Sequence, residues 1–258
     1  MNLLFTLCGR AGSKGVPNKN IRAFLDKPLP LYSLSAIDLY LKDAEDVESD
    51  IVVNTDSPEL IEIFENSKIL QPDSIWRNED LEGDFVAKMD VIKNCLEEME
   101  SRKSKKYDLI IDLDITSPLR TKDDLKGSIE KKINGDYDLV FSVTDSRRNP
   151  YFNMVKNDDG NYVRVIDSNF NTRQEAPEIF DMNASIYVYS REFLLNENNL
   201  FSGKCGVHKM YDTGILDLDH ENDCELMEVI AEYLINKKEM IEKKNEDIKE
   251  NKGDDLNS

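Results

Sequence analysis

Residues 2–20 read NLLFTLCGRAGSKGVPNKN, an apolar run that passes directly into a loop holding Gly9, Gly12 and Gly15 among Arg10, Lys14 and Lys19. A short apolar run closed by glycine reads as a strand buried on both faces, the kind found inside a parallel sheet. Open α/β sheets bind ligands beyond the carboxyl ends of their strands, which is where this loop lies. Glycine permits positive φ and close approach of the backbone, so amide N–H groups can face an anion while the cations add side-chain charge. The loop is read as a polyphosphate cradle, with ordinary solvated loop cations as the alternative. Its spacing matches neither a Walker A loop nor the GxGxxG fingerprint.

Outward from that stretch the same alternation repeats. PLPLYSLSAIDLYLK puts Leu31, Leu34, Ile37 and Leu41 on one helical face, and DIVVNT is a second buried strand. DSPELIEIFENSK reads as a helix that Asp56 or Ser57 caps, with Pro58 in its first turn. FVAKMDVIKNCLEEMESRK has helical spacing through Val86, Met89, Ile92 and Leu96. Strand YDLIIDLDIT, helix TKDDLKGSIEKKI and strand YDLVFSVT follow. Strand and helix in such regular exchange predict a Rossmann-like α/β core, a parallel sheet with helices on both faces.

After Asn149 the pattern breaks. YFNMVKNDDGNYVRV predicts a hairpin turning at Asp158, Asp159 and Gly160. A hairpin outside the sheet exposes Tyr151, Phe152 and Val155 unless a second copy covers them, so a homodimer is expected. The core resumes with ASIYVYS, REFLLN, a strand in GILDLD and a last helix, CELMEVIAEYLINKKEMIEKK. The expected organisation is a core of residues 1–145 and 173–245, an inserted dimerisation element at 146–172 and a flexible tail at 246–258.

The chain of 258 residues carries 33 basic against 52 acidic side chains, a formal net charge of −19. Such a surface repels nucleic acid and anionic membrane, so neither is expected as a partner. The opening MNLLFTLCG lacks the charged n-region of a signal peptide, no run approaches the ~20 apolar residues of a span, and a cytoplasmic location is expected. Cys8, Cys95, Cys205 and Cys224 form no CxxC pair and read as reduced, separately packed thiols. His208 and His220 are the two histidines and read as surface or turn residues, which leaves triad-type nucleophilic catalysis without support.

In GILDLDHEND, Asp217 and Asp219 stand two apart, so on a strand both carboxylates share a face and can hold magnesium. Solvated acids at an ordinary strand end are the alternative. RAGSKGVPNKN, DLDITSPLRTKDDL, TRQEAPEIFDMNASIYVYS and LDLDHENDCELME, in that order, resemble the acylneuraminate cytidylyltransferase (CMP-sialic acid synthetase) family over nearly the whole core. The resemblance implies a glycosyltransferase-A-like nucleotidyltransferase sheet with an inserted dimerisation hairpin. It also implies Mg-dependent attack of a sugar hydroxyl on the α-phosphate of CTP, with release of pyrophosphate.

Carried over by position, Arg10, Lys14, Lys19 and Asp217 are the catalytic residues the resemblance implies. Gly12, Ser13, Asn20 and Arg77 join Arg10, Lys14 and Lys19 around the nucleotide, and Asp217 and Asp219 take Mg2+. Asp114, Thr116, Ser117, Arg173, Asp181 and Asn183 line the sugar.

Two of these depart from the family pattern. DITSPLR stands for QPTSPLR, so Asp114 replaces a sugar-facing glutamine. FDMNASIYV stands for FRPNGAIYI, so Asp181 replaces an arginine that would pair with the carboxylate of a 2-keto sugar acid. An acid in that place is a repulsive element of the sort that switches specificity. The reading favoured is CMP transfer to a sialic-acid-like nonulosonic acid other than sialic acid itself. One alternative keeps the reaction with another nucleotide and sugar, for example GTP and an aminosugar 1-phosphate. Another, a nucleotide-binding module without catalysis, has no use for the full set of cations and acids.

Overall fold

The structure, a computed structural model, describes residues 1–12, 16–81, 83, 86–170, 172–211 and 222–237. Its strands are β1 (Asn2–Cys8), β2 (Ala23–Phe24), β3 (Lys27–Pro28), β4 (Glu48–Thr55), β5 (Asp73–Trp76), β6 (Leu109–Leu113), β7 (Leu139–Asp145), β8 (Val155–Asp158), β9 (Asn161–Arg164), β10 (Phe180–Ser190) and β11 (Cys205–Lys209). Its helices are α1 (Pro30–Asp43), α2 (Pro58–Glu65), α3 (Lys88–Lys103), α4 (Lys122–Asn134) and α5 (Arg191–Asn196), with a sixth, α6, over residues 222–237.

Seven strands form one sheet in the order β11-β7-β10-β6-β1-β4-β5. Because side chains alternate along a strand, β1 sorts the molecule into layers. Leu3, Phe5 and Leu7 face a core closed by Leu34 and Ile37 of α1, Leu60 and Phe64 of α2, and Leu125 and Ile129 of α4. Leu4 faces the opposite core, closed by Met89, Ile92, Leu96 and Met99 of α3 with Phe193 and Leu194 of α5. Burial of such a side chain contributes roughly 1.5–3 kcal/mol, so both faces of β1 are needed to hold it in place. Among the described residues no helix is long and apolar enough to cross a membrane.

Local signals placed several boundaries well. Ser57 accepts from Leu60 N at 3.2 Å and Pro58 opens α2, while Thr121 and Asp124 form a reciprocal capping box on α4. The β8–β9 ribbon is a separate two-stranded sheet whose turn holds Asp159 at φ 49° and Gly160 at φ 86°.

Other expectations are corrected. The sheet is not wholly parallel, because β10 runs antiparallel to both β6 and β7. The strands β5 and β11 were not expected; each is short and lies at an edge, where one flank needs no apolar cover. Helix α3 begins at Lys88, which leaves Val86 before it, and Leu31 and Leu41 are only partly buried on α1. His208 is no turn residue: it sits on β11 with its Nε2 3.8 Å from the Asp124 carboxylate. Gly127 is needed there, because a Cβ on it would lie 2.3 Å from the His208 ring. All four cysteines are free thiols, but Cys8 and Cys95 are not separate, since their side chains meet. The expected GILDLD strand, the tail at 246–258 and His220 lie outside the described residues.

Candidate active site

The loop after β1 is fastened by its backbone. Gly9 N donates to Asn54 O at 3.2 Å and Ala11 N to the Asp56 carboxylate at 2.6 Å, while the Asn20 amide donates to Arg10 O at 2.8 Å. Gly12 has φ +67°, the left-handed conformation expected of it. Gly9 serves otherwise: a Cβ there would lie 2.7 Å from Leu60 and 2.9 Å from Ile115, so glycine lets the loop settle onto α2. Arg10, Gly12, Asn18 and Asn20 then line a cavity of about 160 Å³ with Ser57 and Glu59 of α2. Lys19 opens the short turn beside it. Ser13, Lys14 and Gly15 lie outside the described residues, as do Asp217 and Asp219.

Arg77, buried just beyond β5, donates from Nε to the Asn54 side chain at 2.8 Å and from Nη2 to Asn54 O at 3.0 Å. Two of its donors thus fix the guanidinium against the end of β4, beside the same Asn54 carbonyl that holds Gly9.

The carboxyl end of β6 is built differently. Chain order reverses between β1 and β6, the topological switch point at which open sheets take their ligands. Thr6 of β1 donates to Asp112 Oδ1 at 2.8 Å across that point. Lys88, the first residue of α3, sets its ammonium 2.8 Å from Asp112 Oδ2 and 3.0 Å from Asp114 Oδ2. The nitrogen also lies 5.9 Å from the Tyr187 ring centre. Asp114 Oδ1 accepts from the Thr116 backbone N–H at 2.8 Å and from its hydroxyl at 2.6 Å. Burial alone would raise Asp114, but the Lys88 charge and the Thr116 hydrogen bonds outweigh it and hold the carboxyl well below the usual range. Burial likewise opposes charge on Lys88, and Asp112 with Asp114 overcomes it, so the ammonium is held well above its ordinary value.

Behind this group, buried Arg120 donates to Ser185 Oγ, Ser33 Oγ, Asp114 O and Ser117 O. Burial pulls its guanidinium down to about 10, still charged at neutrality. Ser117 therefore enters the site through its backbone carbonyl.

The remaining sugar-side candidates come from β10 and the segment before it. Being antiparallel, β10 brings its first residues to the same end of the sheet as the carboxyl ends of β6 and β7. Asp181 pairs in register with Thr144 and is exposed. Asn183 is buried, accepting from Ser142 at 2.5 Å and donating to Met210 Sδ at 3.3 Å. Its amide is thus engaged inside the fold. Arg173 donates to Ser146 O at 3.0 Å and lines a cavity of about 360 Å³ with Asp145, Asn149 and Pro177, at the root of the β8–β9 ribbon.

Sequence reasoning missed Lys88 and assigned no role to Arg120, although the latter stands in the SPLR block. Asp112 and Asp114 carry the same two-residue spacing as Asp217 and Asp219, and that was the available signal. Among the described residues no group of three or more His, Cys, Asp or Glu is arranged to hold a metal ion. Between Asp112 of β6 and Asp114 just beyond it stands the Lys88 ammonium.

A family model described as Cytidylyltransferase matches residues 7–252. The chain is 35 % identical over 238 residues to post-translational flagellin modification protein B of Campylobacter coli, covering 92 % of this chain and 97 % of that one. It is 34 % identical over 228 residues to the CMP-N,N'-diacetyllegionaminic acid synthase of Campylobacter jejuni subsp. jejuni, covering 88 % and 94 %. A solved structure of CMP:2-keto-3-deoxy-manno-octonic acid synthetase complexed with CTP matches with a TM-score of 0.63 at 13 % identity, covering 90 % of this chain and 99 % of that one. At that identity the likeness is one of fold.

Proposed function

The chain belongs to the cytidylyltransferase family, and we propose that it moves CMP from CTP onto a nonulosonic acid bearing acylated amino groups, with release of pyrophosphate. The observation that carries this reading is the similarity, over 88 % of this chain and 94 % of the other, to a relative named for CMP transfer to a diacetylated acid of that class. The geometry supports it. A cavity lined by Arg10, Gly12 and Asn20 and a polar corner at the β1/β6 switch point stand at one end of the sheet, suited to a nucleotide and an acceptor side by side.

In-line attack of the acceptor hydroxyl on the α-phosphorus builds negative charge on the transferring group and the departing pyrophosphate. Cations fixed beforehand stabilise that state more than the ground state. We assign this work to Arg10, Lys14 and Lys19. Gly12 and Ser13 join them at the phosphates, Asn20 contacts the nucleotide, and Arg77 braces the end of β4 against it. Asp114, Thr116, Ser117, Arg173 and Asp181 line the acceptor, and Asn183 positions that segment of β10 from within. Asp217 and Asp219 are the donors we propose for magnesium, whose chemistry when bound is to offset phosphate charge. The β8–β9 ribbon, with Val155 and Tyr162 exposed, supports pairing with a second copy.

Pyrophosphate release measured with each of the four nucleoside triphosphates, against nonulosonic acids and sugar 1-phosphates, tests the reaction. CTP with a diacetylated nonulosonic acid is the expected active pair; turnover confined to another triphosphate with a sugar 1-phosphate would overturn the reading. Light scattering at micromolar concentration is expected to give twice the chain mass, and a monomer there would remove the dimer.

A further inference from the structure

Lys88 is locally out of place. It is the first residue of α3, where the helix dipole favours an anion, and no side chain caps that terminus. Its charge is accounted for by Asp112 and Asp114, which approach from β6 and the residue just beyond it. Asp112 is wholly buried, whereas the side chains of Asp114 and Lys88 are 26 % and 37 % exposed, so the pair stands at the surface of the switch-point crevice.

A carboxylate offers about four lone-pair sites. Thr116 fills the two on Asp114 Oδ1 and Lys88 takes one on Oδ2, which leaves one acceptor site on a partly exposed and rigidly held group. The two carboxylates are balanced by Lys88 and by Arg120 behind them, so this corner holds no spare cation for the acceptor's own carboxylate. What suits it is a neutral part of the sugar that donates a hydrogen bond.

We propose that Lys88 is a positioning residue for acceptor recognition. It fixes Asp114 as an acceptor-only carboxylate that takes one N–H or O–H donor of the sugar, an acylamino or hydroxyl group. The pair does with two charges what a neutral amide does at the same position in the family pattern, and it selects for a donor on the sugar rather than for its acid group. This rests on the reading of the reaction given above.

The test is steady-state kinetics of CMP transfer from CTP to N,N'-diacetyllegionaminic acid by the full chain. Lys88→Met removes the ammonium that holds Asp114 Oδ2 in place and is expected to raise the acceptor KM about tenfold or more, the scale of one lost charge-assisted hydrogen bond, while the CTP KM stays within about twofold. Lys88→Arg keeps the cation and is expected to stay close to wild type. Lys88→Met with Asp114→Asn removes both charges, guards against a misfolded single variant, and is expected to recover most of the acceptor KM. Equal rises in both KM values, or no recovery in the double variant, would overturn the assignment. Wild-type turnover with a sugar 1-phosphate instead of the acid would overturn the reaction. In that case the same variants are read against the acceptor used, and an unchanged acceptor KM in Lys88→Met overturns the role of Lys88 independently.

Discussion

The loop after β1 and the corner beyond β6 both bring charge to one end of the sheet, but they are fastened in opposite ways. The loop is tied through backbone groups, Gly9 N, Ala11 N and Arg10 O. The corner is tied by side chains: Lys88, Asp112, Asp114, Thr116 and Arg120 are at once the site and the frame. Backbone groups thus supply fastenings in the first region, whereas in the second the charged side chains themselves are the frame.

The sharpest way to break that contrast is Arg120→Met. The apolar side chain takes a donor from two serine hydroxyls, from Ser117 O and from Asp114 O, which keeps only its bond from the Ser33 hydroxyl, all in a buried setting, and a loss of about 3 kcal/mol or more is expected in urea unfolding. A loss below about 1 kcal/mol would show that the corner is not part of the frame.

An acid titration gives a smaller effect with a defined sign. Because Asp114 is held below the usual range, the folded chain keeps it ionised where the unfolded chain, near a pKa of about 3.9, takes up a proton. Its contribution is complete above about pH 5 and fades as the pH falls through 4 toward the folded value. Asp114→Asn removes that contribution, so its unfolding free energy should decline less steeply than wild type between about pH 5 and pH 3. Parallel curves would mean that the carboxylate adds nothing to the frame.

Arg10→Ala should move stability less than Arg120→Met does by thermal unfolding. Turnover should nonetheless fall by about a hundredfold or more, as when one preorganised donor to a developing anion is removed. A melting loss as large as that of Arg120→Met would erase the distinction between the two regions.

How far the sequence reveals each region follows from the same contrast. Signals confined to a few adjacent residues were legible: Ser57 and Pro58 opening α2, the Asp159–Gly160 turn, and the glycine and basic residues after β1. The corner depends on partners far apart in the chain. Lys88 meets Asp112 and Asp114 across more than twenty residues, and nothing beside it marks it as other than a helix-surface lysine. Strand direction was hidden for the same reason, since ASIYVYS reads alike whether it runs with β6 or against it. Asn183 was legible as a residue type but not in its engagement, because Ser142 and Met210 reach it from β7 and beyond β11.

The irregularity in β10 has a bearing on how such a molecule can be altered. Phe180–Met182 pair with Asp145–Val143 and Tyr187–Tyr189 with Phe141–Leu139, so residues 183–186 stand opposite Ser142 alone, with Ala184 at φ 52°. In a regular strand, one residue gained or lost turns every later side chain to the wrong face. Here the bulge is slack that can absorb such a change, insulating Tyr187 and Val188 in their two cores from whatever is written at Asp181. The first residues of the strand are thereby uncoupled from the rest, and a change of length or side chain there can be taken up while the sheet beneath keeps its register.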